Sequence, residues 1–550
     1  MRNIFIACLL LTVGLLADNN LVTTLSVKTA NGKSSFEMPR NGWIRIEGAL
    51  PETVTFSGPT EVTVFTRKNF AVAKLPAGKY TVNAQITLAR RIGNNMYYQM
   101  CGRYDTDDMV FIPSNRRPTG RSGMFIYHWK YLRENVLDYF PVLMLNAPWG
   151  PEMDRWKAEG RKTLLNSGVY ATGKECETKW EAISARHNTD GFVTDEFVIP
   201  TGRKNPNDAA FGYSNQGNGF KPEIYDAMRK WHRNHPNMTL WGWLGLPWNA
   251  IAEDVEPLIK VLDEIDGVLL WEAYAHTRDF QNEFNLRYVS RIKGFKKVSG
   301  DFSRYVVAPG TFEYLDENAY IDFKVWLDKQ LHLVATHPDM ANLGGISMWS
   351  SYYMEPEIFR WFTELVRHYA IEGNTEMLSD KYGFKLEPGL LKDAEWETLD
   401  HWNCFGKTEL IPVAKSGLPP SAYIPRSSKN MLSLQKGLFG KASGATQKIT
   451  GLKPGQYYSV STLFVDPEQN GDEILYDVEL TVDNAEVIQT RVRQLQDFVQ
   501  TKKPTYNHIK VVFKAKGTKA LLKLSTREKT DLKHPLLVDS VSVKPYFYQP

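Results

Sequence analysis

The sequence is poor in cysteine, with four in 550 residues. Cys8 falls inside an apolar run at the N-terminus, which leaves Cys101, Cys176 and Cys404 in the rest of the chain. Three thiols cannot form the disulfide framework on which small exported domains rely, so the fold must stand on its core. Long apolar runs are scarce as well. One runs from residue 4 to 16, after Met1-Arg2-Asn3 and before Ala17. Its charge, apolar centre and small residue are those of a signal peptide spanning residues 1–17, and it is too short to cross a bilayer comfortably. No later stretch approaches the roughly 20 apolar residues of a transmembrane helix. A secreted or periplasmic chain without a membrane span is expected, and without a lipid anchor, because Cys8 lies within the run and not after it.

Net charge is also small, at +4, which argues against a dedicated nucleic-acid binder. It is unevenly spread: residues 401–550 hold 21 Lys and Arg against 13 Asp and Glu, a surplus of +8, so the first 400 residues carry −4. That surplus suits either a solvated surface or contact with an anionic polymer. Several catalytic signatures are missing: His-Glu-x-x-His, Cys-x-x-Cys, an EF-hand loop and Gly-x-Ser-x-Gly. Zinc hydrolysis and serine esterase chemistry therefore lack support. Gln216-Gly217-Asn218-Gly219 does not lead from a strand into a phosphate loop, so no nucleotide, metal or other cofactor is implied.

What the sequence does have is aromatic residues, 15 Trp and 26 Tyr, and a 43% apolar composition that fills two or three domains. Residues 20–91 alternate in short segments broken by turns, as in Glu61-Val62-Thr63-Val64-Phe65, and read as an N-terminal β-sandwich. Residues 398–550 repeat that style, with a turn at Gly451-Leu452-Lys453-Pro454-Gly455, and resemble the jelly-roll modules appended to polysaccharide-degrading enzymes. Residues 373–397 read as a linker.

Between these parts, residues 96–372 alternate strand and helix. Strands are expected at 96–103, 139–146, 163–169, 191–198, 238–245, 267–274, 304–310 and 343–352. Eight βα units in about 275 residues match a (β/α)8 TIM barrel, with an open doubly wound sheet as the alternative.

A TIM barrel carries its active site at the C-terminal strand ends. The fourth strand ends in Asp195 and Glu196, and the sixth carries Glu272. Period two puts Glu196 on the side of Thr194, and Glu272 on the side of Leu270 and Tyr274, each directed to the axis. Asp195 then points away unless the strand has ended. Two converging carboxyl groups are what glycosidic cleavage requires, one protonated and one ionised. The bland alternative is that they pair with cations or cap helices.

Aromatic residues surround the same ends: Trp149 after the second strand, Trp241, Trp243 and Trp248 at the fifth, Trp271 and Tyr274 at the sixth, and Trp349 at the eighth. Sugar rings present apolar C–H faces that stack on such surfaces, although any one Trp is as readily core. Arg103, Asn146, Asn249 and His276 complete the polar candidates, and residues 202–219 read as a substrate loop.

From residue 96 to 369 the chain resembles TIM-barrel glycoside hydrolases as a class, through the acidic end Thr194-Asp195-Glu196-Phe197. One large group has Asn-Glu on the fourth strand and a nucleophilic Glu on the seventh. Here the fourth has Asp-Glu, and Glu313 lies beyond the seventh, so that group fits poorly. The use of fourth and sixth strands is more similar to the α-galactosidase-like group, whose nucleophile is on the fourth and acid on the sixth, though both are Asp there. Asp190-Gly191 is similar to the start of chitinase-type strands, without their Asp-x-x-Asp-x-Asp-x-Glu spacing. The resemblance implies hydrolysis of a polysaccharide or oligosaccharide, neutral or anionic. A glycan-binding protein without turnover, a polysaccharide lyase and an esterase are the rival readings.

Overall fold

Eight parallel strands close on themselves between residues 96 and 348. The computed structural model describes residues 19–99, 112–114, 124–127, 129–145, 150–185, 189–198, 221–245, 252–273, 280–311, 319–348, 354–418, 428–437, 440–468, 477–494, 506–528, 532 and 534–548. The barrel strands are Met96–Gln99, Val142–Leu145, Lys162–Gly168, Gly191–Val198, Thr239–Gly245, Val268–Ala273, Tyr305–Pro309 and Gly345–Met348. Each pairs in parallel with its neighbour, and the eighth pairs with the first, so the open-sheet alternative is excluded.

Residues paired in parallel register share a face. Tracing partners round the ring puts Tyr98, Met144, Leu164, Val193, Trp241, Trp243, Leu270, Val306 and Ser347 on one face. That face is the axial one, because Tyr98 and Trp243 stand on the first and fifth strands, opposite each other, with ring centroids 4.6 Å apart. The other face meets the helices. Phe192 lies 5.5 Å from Trp180 in helix Gly173–Ser184 and 4.7 Å from Trp231 in helix Pro222–Asn234. Both helices start on local signals: Thr172 accepts a hydrogen bond from the Glu175 amide, and Pro222 opens the second.

Gly191 begins the fourth strand at φ 147°, and a β-carbon there would lie 1.9 Å from the Thr239 carbonyl oxygen. Only glycine fits so close an approach. Asp190 before it accepts from the Thr163 amide at 2.9 Å and lies 3.5 Å from Lys157. The Asp-Gly pair thus ties strands together at their N-terminal ends, away from the mouth.

Before the barrel, a four-stranded and a five-stranded antiparallel sheet share a core that includes Phe36, Ile44, Ile46, Phe56, Tyr80 and Val82. After it, four- and six-stranded sheets share Leu434, Ile449, Val460, Leu480, Phe513 and Leu522. The segment between barrel and C-terminal sheets holds helix Leu378–Tyr382, and its Leu390, Leu391, Ala394 and Trp396 are buried in that last core. The Trp396 ring lies 4.5 Å from that of Trp402. Among the described residues no helix is long and apolar enough to cross a membrane.

The C-terminal sheets dock on the helices that follow the seventh and eighth strands. Glu355 and Glu357, at the start of helix Pro356–Leu365, face Arg493 and Lys510: Glu355 lies 3.1 Å from Arg493 and 2.8 Å from Lys510, and Glu357 lies 3.3 Å from Lys510. Lys324, opening helix Phe323–Thr336, bridges Glu357 at 2.9 Å and Asp322 at 3.0 Å and donates to the Pro545 carbonyl at 2.8 Å. The N-termini of such helices share a side with the C-terminal strand ends, so the module sits beside the mouth.

Candidate active site

Glu272 is the penultimate residue of the sixth strand and pairs with Ala308. Its half-buried carboxylate accepts a hydrogen bond from Nε1 of Trp243 on the fifth strand. The expectation that Glu272 faces the axis with Leu270 is met, since its donor is axial.

Backbone pairing places the other two carboxylate residues. Asp195 is in register with Gly168 of the third strand, an axial position. On its other side the fourth strand pairs Thr194 with Gly242 and then Phe197 with Leu244, so Asp195 and Glu196 together stand opposite the single residue Trp243. This is a β-bulge, a device that interrupts the pleat and re-aims the side chains beyond it. The register also corrects the face assigned to this strand from sequence: the axial position is that of Asp195, which was expected to point away, and not that of Thr194. Thr194 is wholly buried, donates to the Trp241 carbonyl at 3.0 Å, and belongs with Gly242 to the helix-facing set. The side chains of Asp195 and Glu196 lie outside the described residues.

Two glycines end axial rows here. Gly168 closes the third strand and Gly245 the fifth, and a β-carbon on Gly245 would lie 3.9 Å from Glu272 Oε2. Side-chain bulk is thus lacking beside the Glu272 carboxylate, as expected where a ligand approaches closely. The fourth and sixth strands are two strand spacings apart, about 10 Å at the backbone.

Two of the aromatic expectations are corrected. Trp243 and Trp271 are both 0% exposed, so neither offers a face to a sugar ring. Trp243 lies against Tyr98 beneath the mouth, and Trp271 packs on Phe295 of helix Ser290–Val298, centroids 5.6 Å apart. Trp149, Trp248, Trp349, Tyr274, His276, Asn146 and Arg103 lie outside the described residues, as do Asn249 and residues 199–220, which include the expected substrate loop. Tyr98, Gly168 and Gly245 were not among the residues expected from sequence. Strand parity alone marks Tyr98 as axial, whereas nothing short of the register singles out the glycines.

No family model and no curated protein matches the chain. Solved structures do. Native xylanase10C from Cellvibrio japonicus is similar at 10% identity and TM-score 0.29, over 64% of this chain and 98% of that one. Active domain 2 of a Pyrococcus furiosus chitinase is similar at 10% identity and TM-score 0.30, over 53% and 97%. The GH51 α-L-arabinofuranosidase of Thermotoga petrophila RKU-1 is similar at 11% identity and TM-score 0.30, over 78% and 95%. Their names belong to the class the sequence resembles. Likenesses this distant carry no chemistry across, so function rests on the barrel's own residues.

Proposed function

We propose that the chain is an exported glycoside hydrolase acting on a polysaccharide or oligosaccharide. Glu272 and one of Asp195 and Glu196 divide the roles of acid and of nucleophile or base. The observation that carries this reading is the axial carboxylate of Glu272, held by the buried indole of Trp243, with the backbone of Asp195 and Glu196 in register with Trp243 across a bulge. A strand end needs no such arrangement for packing, and a half-buried carboxylate there calls for a reason. The flanking modules are read as β-sandwiches, the last jelly-roll-like and placed to lengthen the glycan-binding surface beside the mouth.

The test is reducing-end release from neutral, sulfated and uronic polysaccharides, comparing the wild type with Glu272→Gln. Release by the wild type is expected, with a loss of about 10²-fold or more in a variant that melts normally. Products absorbing in the ultraviolet as unsaturated ends would show a lyase instead. Glycan binding retained by both proteins, with no turnover by either, would show a binding protein.

A further inference from the structure

We infer that Glu272 is the ionised member of the carboxylate pair and that Trp243 is the positioning residue that keeps it so; this rests on the hydrolase reading above. The indole N–H of Trp243 has one proton to give and no lone pair to accept with, and it is directed at Glu272 Oε1. A donor aimed at a carboxyl oxygen favours the charged form over the protonated one. The donor is also fixed. Trp243 is 0% exposed, anchored in the middle of a barrel strand, and stopped on its far side by the Tyr98 ring at 4.6 Å. Such a dipole needs no reorganisation when charge appears.

On the hydrolase reading the pair shares one proton between two carboxyl groups, and a donor fixed on Glu272 favours its charged form. The proton then resides at Asp195 or Glu196. In the reaction so assigned, that carboxyl gives its proton to the leaving glycosidic oxygen as the C–O bond breaks. Glu272 supplies the electron pair, to the anomeric carbon directly or by taking a proton from the attacking water. This is the reverse of the roles that the α-galactosidase-like resemblance implies.

Difference infrared spectroscopy of the wild type against Glu272→Gln tests it without requiring turnover. The protonated-carboxyl stretch of Glu272 is expected to be absent at pH 7 and to appear only near or below the ordinary Glu value of about 4.3. In Trp243→Phe, which keeps an aromatic ring and loses the N–H, that band is expected about one pH unit higher. A Glu272 carboxyl that is protonated at neutral pH in the wild type would overturn the assignment, whether or not Trp243→Phe folds. Absence of turnover on every glycan would instead sink the hydrolase reading and leave the titration result standing.

Discussion

Glu355, at the mouth end of a barrel helix, lies 2.8 Å from Lys510, on a strand of the C-terminal module 155 residues later. Both are buried, and Arg493 at 3.1 Å shares the same carboxylate. A buried ion pair owes its net stability to geometry, but removing one partner leaves the others desolvated and uncompensated. Glu355→Gln is therefore expected to lower stability by about 3–5 kcal/mol, in the range of broken buried pairs. Thermal melting checks this. Because a chain of several domains need not unfold in one step, the C-terminal module is expected to melt before the barrel.

Acidification should loosen the same interface, in two stages. Burial pushes the His508 imidazole down to about 4, against the pull of Glu355 at 3.5 Å. Between about 4 and the ordinary value near 6.5, the unfolded chain binds this proton and the folded one does not, so stability falls as pH drops through that window. The limit for one proton is about 1.4 kcal/mol per pH unit. Burial alone would raise the Glu355 carboxyl, but Lys510 and Arg493 overcome it and hold the group well below the usual carboxylate range. Its contribution is present above its unfolded value and is lost as pH falls through the folded one, below about 4. Melting temperature against pH is expected to decline from about 6.5 downward, and His508→Gln to flatten the upper part of that decline.

The barrel was legible because its strands are short, apolar and separated by amphipathic helices, and each observed strand falls within a few residues of its expected start. Glu272 was legible for a related reason: its strand runs without a bulge, so period two carries from Leu270 to the carboxylate. On the fourth strand period two holds as far as Asp195, but the sequence does not say which face is axial, and Thr194 packs with Gly242 toward the helices. A bulge shifts register without a local signature in Thr194-Asp195-Glu196-Phe197, since no glycine or proline marks it. Trp243 reads equally as rim or interior from sequence, and its partner Tyr98 comes from a strand 145 positions earlier. Ion pairs such as Glu355 with Arg493, 138 residues apart, leave no pattern to read.

The acid on the fourth strand can be separated from Glu272 by leaving-group dependence. An activated aryl glycoside departs without protonation, whereas a sugar leaving group requires it. Asp195→Asn or Glu196→Gln, whichever removes the acid, is expected to slow natural glycans by about 10²–10⁴-fold while sparing the aryl substrate's bond cleavage. Glu272→Gln is expected to suppress both substrates. Steady-state rates on the two substrate types, measured side by side, decide it. Equal losses on both in all three variants would mean that no single carboxyl acts as the proton donor.

Gly245 offers a test of the mouth that leaves the carboxylates in place. An added methyl would lie 3.9 Å from Glu272 Oε2, an ordinary contact, so Gly245→Ala is expected to fold and to melt within a few degrees of the wild type. The methyl would occupy space beside the reacting carboxylate, where a bound sugar must come closest to the strand. KM is therefore expected to rise several-fold, and kcat to fall further if the sugar is held away from Glu272 by a fraction of an ångström. Gly191→Ala is the contrasting control, since its β-carbon would meet the Thr239 carbonyl at 1.9 Å and destabilise the barrel far from the mouth. A Gly245→Ala enzyme with unchanged kinetics on every substrate would place the reacting sugar elsewhere on the barrel.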